Sequence, residues 1–260
     1  MALQNNLFYL PTNKNTMNSV CIATYNGEKF IAEQLTSILG QIAPNDEVII
    51  SDDGSTDSTC AIIESFDDQR ITLLHNNAHN FKHNFINALQ HARGKYIFLS
   101  DQDDVWLPNK YEICCNYLKQ YDLVVTDNII TNATLDTIHP SFFEFYHSGK
   151  GVMKNILFHT YFGACMAFRS NILQYAIPMP NTREIAHDNW IGLVAEIVGT
   201  VYFIPQPLLL YRRHSQALTN LNDSFLHRSQ RSLFVKIWSR CIVLAAVVRF
   251  YLSYKVGKFK

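Results

Sequence analysis

The first half of the chain alternates between short apolar runs and longer stretches with helical spacing. Apolar runs of strand length occupy 19–24, 46–51, 71–75, 94–100 and 123–127. Between them, apolar residues recur every three or four positions at 28–40, 58–66, 81–92 and 108–120. Strands that alternate with helices through short links predict an α/β fold. Its core is a doubly wound, Rossmann-like and mostly parallel sheet.

The second half is less regular. An aromatic stretch, FHTYFGACMAF, spans 158–168, and a helix is predicted at 189–198, followed by short strands near 201–211. Residues 225–256 mix large apolar side chains with six cations, which predicts an amphipathic helix on an anionic membrane surface. The alternative is a basic helix that packs back on the rest of the molecule.

Charge is balanced overall but unevenly placed. The chain has 260 residues with 22 basic and 22 acidic side chains, which suits one compact domain and gives no argument for a nucleic-acid partner. No acidic residue follows Asp223, whereas eight basic ones do. Residues 1–223 therefore carry a net charge of −8 and the tail carries +8. We expect the two parts to meet different surroundings.

Targeting and redox signals are weak. Residues 1–16 lack the basic and apolar regions of a signal peptide, and we expect them to form a disordered extension. No segment has the roughly 18–20 apolar residues of a membrane span. The six cysteines form no CxxC pair, and Cys21 and Cys165 lie in apolar runs typical of core positions. A reduced, cytoplasmic protein is the simplest expectation.

Acidic residues cluster where the predicted strands end. The segments SDD, SDQDD and VTD close the strands near 51–53, 100–104 and 125–127. Ligands of doubly wound sheets bind at the carboxyl ends of the strands, so these clusters predict the functional site.

The segment DQDD places Asp101 and Asp103 where both carboxylates can reach one cation. Mg²⁺ tends to take one or two protein carboxylates and to complete its shell with water and substrate phosphates. A D-x-D without neighbouring His or Cys therefore indicates a metal–diphosphate site. The alternative is that Asp103 or Asp104 only caps the following helix.

The segment SDDGSTDST at 51–59 offers a second group of carboxylates. One of them could accept a hydrogen bond from a nucleotide base or from a ribose hydroxyl. An Asx-turn followed by a helix cap would instead explain Asp57 and Asp52, though less readily the second adjacent carboxylate.

The run YIFLSDQDDV also fits the first motif of haloacid-dehalogenase-type phosphatases, in which the first Asp is a nucleophile. That family carries the motif on its first strand, with an acidic pair much later. Here the motif lies on the fourth predicted strand and the other acidic pair precedes it, so the order argues against a phosphatase.

Three segments in order, SVCIATYNGEKFIAEQLTSILGQ, DEVIISDDGSTDST and GKYIFLSDQDDVWLPNKYE, resemble the nucleotide-binding half of family 2 glycosyltransferases with the GT-A fold. The resemblance continues in FGACMAF, HDNW and YRRHS, most like bacterial rhamnosyltransferase-type members that build surface polysaccharides. It implies a nucleotide-sugar-binding half at 17–127 and an acceptor half at 128–223, while the composition of 224–260 makes that segment the helical tail.

The resemblance also implies site residues. Ala23, Thr24 and Tyr25 match the loop on the nucleotide base, and Asp53, with Asp52 beside it, matches the carboxylate that accepts from the base. Asp101 matches the ribose- and metal-side carboxylate, and Asp103 the ligand that holds Mg²⁺ or Mn²⁺ against the diphosphate.

On the acceptor side, Asp188 matches the general base, although it could instead be the N-cap of the predicted helix. Arg212, Arg213 and His214 of YRRH are expected to approach the diphosphate, with a surface position as the alternative for His214.

These implications define a metal-dependent, inverting glycosyltransferase that needs no covalent nucleophile. The leading expectation is dTDP-rhamnose as donor and a glycan or lipid-linked acceptor, on the inner face of the cytoplasmic membrane. The alternatives are UDP-Gal, UDP-Glc or UDP-GlcNAc as donor, or a non-catalytic nucleotide-sugar-binding subunit of an assembly complex.

Overall fold

The computed structural model describes residues 17–214 and 232–257, so the expected extension at 1–16 lies outside the described residues. The strands, in chain order, are β1 Ser19–Thr24, β2 Glu47–Asp52, β3 Ile71–His75, β4 Tyr96–Asp101, β5 Val105–Trp106, β6 Leu123–Thr131, β7 Thr137–His139, β8 Met166–Arg169 and β9 Val201–Arg212. The helices are α1 Ile31–Leu39, α2 Thr59–Glu64, α3 Phe81–His91, α4 Lys110–Tyr117, α5 Phe142–Tyr146, α6 Val152–Phe158, α7 Leu173–Ala176, α8 His187–Val198 and α9 Leu233–Lys255.

Within the described part of the chain, the strands form one sheet in the order β3-β2-β1-β4-β8-β6-β9-β5, with β7 paired to β6. The strands β3, β2, β1 and β4 run parallel, and β6 runs parallel to β9. β8 lies antiparallel between β4 and β6. The parallel register places Ala23 opposite Asp101 and Thr24 opposite Asp52, so the acidic strand ends meet at one edge.

Both faces of the sheet are buried because apolar side chains point to both sides of each central strand. On β1, Val20 and Ile22 join a core that includes α1, whereas Cys21 and Ala23 join the core on the opposite face with α3. Helices on both faces of a mostly parallel sheet are the arrangement that the alternating pattern predicts.

The predicted elements are found, with several changes in their bounds. α2 ends at Glu64, earlier than predicted, and the short strands predicted near 201–211 are one strand, β9. α8 begins at His187, two residues before the predicted start. β6 continues to Thr131, so the VTD segment lies within a strand and the prediction that it closes one was wrong. β9 stays continuous because it pairs with β6 from Leu123 to Thr131 across two register shifts. Cys21 and Cys165 are buried in the core, as their apolar surroundings predict.

The tail helix α9 packs on the body and also exposes apolar side chains. Val243, Val247 and Phe250 are buried against α6 and α8, where Phe250 meets Trp190 with ring centroids 5.6 Å apart. On the outward side, Phe234 is 76% and Trp238 is 60% exposed. The packed face agrees with the alternative interpretation of the tail, and contact of the exposed face with a membrane stays a prediction. No helix in the described ranges is long and apolar enough to cross a bilayer.

Candidate active site

A cavity of about 490 Å³ opens at the carboxyl ends of β1 and β4. Its other walls come from the loop before α3, the turn at 162–163 and the first turn of α8. Most of the residues predicted for the site line it, namely Ala23, Thr24, Tyr25, Asp53, Asp101, Asp103, Asp188 and Arg212. Asp52, Arg213 and His214 are not among the lining residues. The structure therefore brings together the acidic ends of β2 and β4 with the start of α8, which lies far along the chain.

Asp52 holds the loop after β2. Its Oδ1 accepts from the backbone N–H groups of Gly54 at 3.1 Å and Ser55 at 2.8 Å, and its Oδ2 accepts from the Thr24 hydroxyl at 3.0 Å. Gly54 has a φ of 83°, which an L side chain rarely adopts. This arrangement corresponds to the turn that the sequence offered as the alternative for Asp52.

Asp53 joins two loops at the cavity wall. Its Oδ1 accepts from the His79 amide at 2.9 Å and its Oδ2 from the Asn80 amide at 2.7 Å. Asn80 in turn caps α3 by accepting from the His83 amide at 3.1 Å. Each carboxylate oxygen keeps a second lone pair that can accept a further hydrogen bond. Recognition of a nucleotide base by Asp53 stays a prediction.

Asp101, Asp103 and Asp104 form the acidic cluster, in which one oxygen from each lies within 4.8 Å of the others. Asp104 does not cap a helix: Asn109 precedes α4, and Asp104 Oδ1 accepts instead from the Arg212 amide at 2.9 Å. Its Oδ2 is buried without a hydrogen-bond partner among the described residues.

The electrostatics of the acidic cluster favour a cation. Burial first, then the charges of Asp103 and Asp188, raise the pKa of Asp101 to about 8. Burial and the same kind of repulsion raise the pKa of Asp104 well above its usual range. Three hard oxygen ligands and an orphaned buried carboxylate oxygen fit a divalent cation such as Mg²⁺ or Mn²⁺.

The end of β9 braces the acidic cluster. His214 Nε2 lies 2.8 Å from Asp103 Oδ2, and its ring packs on Phe30 at 4.5 Å between centroids. The Arg212 guanidinium donates to Glu33 and to the Ala133 carbonyl at 3.1 Å, and it lies over the Phe30 ring. The Arg213 amide donates to Thr131 O at 2.9 Å. Contact of these three residues with a diphosphate stays a prediction.

Asp188 faces the cavity from the first turn of α8. The helix begins at His187, after Ala186, so Asp188 is not the N-cap that the alternative interpretation required. Its Oδ2 accepts from the Gly163 amide at 3.1 Å and its Oδ1 from the Asn189 amide at 2.7 Å. His159 Nε2 lies 3.4 Å from Oδ1, an ion-pair distance rather than a well-formed hydrogen bond.

These neighbours keep Asp188 ionised. Burial alone would raise its pKa, but polar contact with His159, the nearby His187 and the Asn189 amide lower it to about 2. The carboxylate can therefore accept a proton from a bound group at neutral pH.

The cavity wall also includes residues for which no site role was predicted, among them Phe81 and His187. Phe81 is 41% exposed on the wall, and His187 lines the cavity beside Asp188. For His187, the HDNW segment was the signal in the sequence.

The chain matches the family model described as "Glycosyl transferase family 2" over residues 19–175, more than half of its length. A similar curated protein is the UDP-Glc:alpha-D-GlcNAc-diphosphoundecaprenol beta-1,3-glucosyltransferase WfgD of Escherichia coli. It is 34% identical over 43% of this chain and 42% of that protein. The dTDP-rhamnosyl transferase RfbG of Shigella flexneri is 27% identical over 81% of this chain and 77% of its own length. The chain thus spans less than half the length of the first of these relatives.

Solved structures share the fold. TarS of S. aureus in complex with UDP-GlcNAc superposes with a TM-score of 0.63 at 18% identity, over 88% of this chain and 71% of that chain. The mannosyltransferase PcManGT of Pyrobaculum calidifontis, in complex with GDP-Man and Mn²⁺, gives a TM-score of 0.55 at 20% identity, over 73% of this chain and 54% of that chain. The likeness confirms the GT-A architecture. Together with the family match and the position of the D-x-D on β4, it excludes the phosphatase alternative.

Proposed function

The chain belongs to glycosyl transferase family 2. From that premise we propose that it moves a sugar, with inversion, from a nucleoside-diphosphate donor to a glycan or lipid-linked acceptor. We propose that this reaction is a step in the synthesis of a bacterial surface polysaccharide. One observation carries the proposal: Asp101 and Asp103 of the acidic cluster line the same cavity as Asp188, close enough for the charge of Asp188 to raise the pKa of Asp101. A diphosphate at the first group and a sugar hydroxyl at the second would leave the transferred sugar between them.

The donor side is formed by the ends of β1, β2 and β4. Tyr25 is 53% exposed at the cavity and offers a ring on which a nucleotide base can stack. Asp53 presents its remaining carboxylate lone pairs beside Thr24 and Ala23. An aromatic face next to an acceptor of hydrogen bonds suits a pyrimidine base with a ring N–H.

Asp101 and Asp103, with the orphaned oxygen of Asp104, are the residues that would hold Mg²⁺ or Mn²⁺. When bound, such an ion neutralises the charge that develops on the departing nucleoside diphosphate. His214, which contacts Asp103 Oδ2, would fix the orientation of that carboxylate.

Asp188 is the proposed general base. The acceptor hydroxyl oxygen forms the new bond to the anomeric carbon, the bond from that carbon to the diphosphate oxygen breaks, and the hydroxyl proton moves to the Asp188 carboxylate. The Gly163 and Asn189 amides hold both carboxylate oxygens in place for this transfer. A positioned base contributes roughly 10²–10⁴-fold to such a step.

The leading donor is dTDP-rhamnose. The support is the wording of the DQDD and HDNW segments and the match to the dTDP-rhamnosyl transferase RfbG along 81% of this chain. The name of WfgD specifies UDP-Glc, so UDP-Glc, UDP-GlcNAc and UDP-Gal remain the competing donors.

The tail helix is the proposed membrane contact, on the inner face of the cytoplasmic membrane. Outward-facing Phe234, Trp238 and Leu252 are exposed, and no acidic residue lies in α9 to repel an anionic lipid surface. Lys236, Arg240, Arg249 and Lys255 lie on the same helix. Apolar side chains together with cations favour binding in the headgroup region, close to a lipid-carried acceptor.

The rival function is a non-catalytic nucleotide-sugar-binding subunit. The presence of Asp101, Asp103 and Asp188 around one cavity favours an enzyme. The test is a screen of the four nucleotide sugars by thermal shift with Mn²⁺ or with EDTA, followed by donor hydrolysis for those that bind. Binding with metal-dependent hydrolysis supports the enzyme, whereas tight binding without hydrolysis or transfer supports the rival.

A further inference from the structure

His187 is a buried polar side chain for which the described structure provides no hydrogen bond. It is 1% exposed, and neither ring nitrogen has a hydrogen-bond partner among the described residues. The ring instead stacks on Phe85, with centroids 4.1 Å apart and planes 14° apart, and meets the edge of Phe81 at 5.4 Å. A buried donor or acceptor left unpaired costs roughly 1–3 kcal/mol, so such groups in a cavity wall require an explanation.

Burial favours the neutral form of the ring. Burial, ahead of the charges of His159 and Lys82, lowers the pKa of His187, although Asp188 acts in the opposite direction. A neutral imidazole offers one N–H donor and one nitrogen acceptor. That pair of groups matches a sugar hydroxyl, which both accepts and donates, and does not match a phosphate, which only accepts.

The turn at Gly163 lies directly against the ring. A Cβ placed on Gly163 would lie 3.1 Å from His187 Nε2, which is tighter than an ordinary van der Waals contact, so a side chain at this position would crowd the nitrogen. The backbone of Gly163 does not adopt a positive φ. Backbone conformation therefore does not require glycine at this turn.

The ring of His187 connects two parts of the proposed site. It rests on α3, and the loop that starts α3 is bonded through His79 and Asn80 to Asp53. Asp188 comes one residue later and is held by Gly163 and Asn189. The ring therefore lies next to the proposed base and on the helix whose first loop meets the proposed nucleotide-binding carboxylate.

We propose that His187 hydrogen-bonds a hydroxyl group of the transferred sugar and so helps to select the donor. The inference rests on the proposed function, because it takes the cavity to be a nucleotide-sugar site. The proposal assigns the ring to the sugar and not to the nucleoside diphosphate, so loss of the ring should weaken only the binding of ligands that carry the sugar.

The test compares His187→Leu with the wild-type protein by calorimetric titration in Mn²⁺. The probes are dTDP-rhamnose and UDP-Glc, each against its own nucleoside diphosphate. We expect affinity for the bound nucleotide sugar to fall about 10-fold and affinity for the nucleoside diphosphate to stay unchanged. The melting temperature should stay equal or rise, since an unpaired buried polar group is replaced by an apolar one.

Two further variants keep the proposal testable if His187→Leu does not fold. His187→Asn restores a donor and an acceptor and should recover part of the lost sugar affinity. Gly163→Ala leaves His187 in place but fills the space at Nε2, and it should cause the same selective loss.

Three results would overturn the inference. The first is an unchanged ratio of nucleotide-sugar to nucleoside-diphosphate affinity in both His187→Leu and Gly163→Ala. The second is a rise in the KM for the acceptor without a change in donor affinity, which would mean that the His187 ring contacts the acceptor instead. The third is a wild-type protein that binds neither nucleoside diphosphates nor nucleotide sugars, which would overturn the proposed function together with the inference. Nucleoside-diphosphate binding distinguishes this last case from the other two.

Discussion

His214 and Asp103, which are 111 residues apart in the chain, meet with 2.8 Å between Nε2 and Oδ2. The contact joins a carboxylate of the acidic cluster to a residue that does not line the cavity. Outer contacts of this kind orient metal-binding groups, and losing them typically costs 10–100-fold in metal affinity or activity. The position of Asp103 is therefore set by the end of β9 as well as by its own loop.

Asp103→Asn should remove the metal-dependent part of nucleoside-diphosphate binding, because the cation loses a charged ligand. We expect the stabilisation by UDP or dTDP in Mn²⁺ to fall to the level seen in EDTA, with transfer abolished. The control is Asp67→Asn, an exposed position with a φ of 46° that asparagine adopts readily. Wild-type turnover by Asp103→Asn would show that the metal role is wrong.

Asp188→Asn should lower transfer by roughly two to four orders of magnitude. The amide keeps the size of the side chain and one acceptor oxygen for the Gly163 or Asn189 amide, so the fold should survive. Donor affinity and melting temperature should change little, because the base faces the acceptor. Near wild-type transfer by this variant would mean that another group takes the proton.

The free energy of unfolding should depend on pH through His187. Burial lowers its pKa below the ordinary 6.5, so below that pH the unfolded chain binds a proton that the folded protein does not. Stability should therefore fall as pH decreases below about 6.5 and be fully present above it. The comparison is urea unfolding of the wild type and His187→Leu from pH 7.5 to 5.0. If His187→Leu shows the same dependence of the unfolding free energy on pH, His187 is not the cause of that dependence.

Phe234→Gln, Trp238→Gln and Leu252→Gln, combined in one protein, should release it from vesicles that contain anionic phospholipid. These side chains are exposed, so donor hydrolysis and melting temperature should not change. Val243→Ala is the opposite control, since that residue is 1% exposed and its truncation should lower the melting temperature. Equal vesicle sedimentation of the triple variant and the wild type would contradict the membrane proposal.

The same structure alters the meaning of a truncation before the tail. Deletion of α9 would expose Trp190 and its neighbours on α8, where Phe250 now packs. A truncated protein is therefore expected to lose stability for a reason unrelated to lipids, which makes substitutions on the outward face the cleaner experiment.

The parallel half of the fold follows from local pattern. The strand at Ser19–Thr24 was predicted to the residue because it is short, uniformly apolar and bounded by polar residues. The acidic strand ends were predicted to share an edge because parallel strands carry their carboxyl ends together. These inferences use only neighbouring residues and one rule of topology.

The contacts that define the site from afar could not be predicted in this way. Asp104 accepts from the Arg212 amide, 108 residues away, and no periodic pattern in the sequence predicts such a contact. The lack of a partner for His187 depends on Phe81, Phe85 and Gly163, which come from two other elements. The pairing of Arg212 with Glu33 likewise becomes visible only when β9 and α1 are placed side by side.

The contacts of residues 212–214 can form only late in the synthesis of the chain. A ribosome that has delivered the first four strands has made Glu33, Asp103 and Asp104, but not yet the partners that these side chains meet in the finished molecule. In the nascent chain, β1 to β4 can pair before these carboxylates have the contacts that hold them in the finished molecule. On the proposed function, a chain that ends before β9 would therefore lack contacts that hold the acidic cluster and would not be expected to transfer sugar.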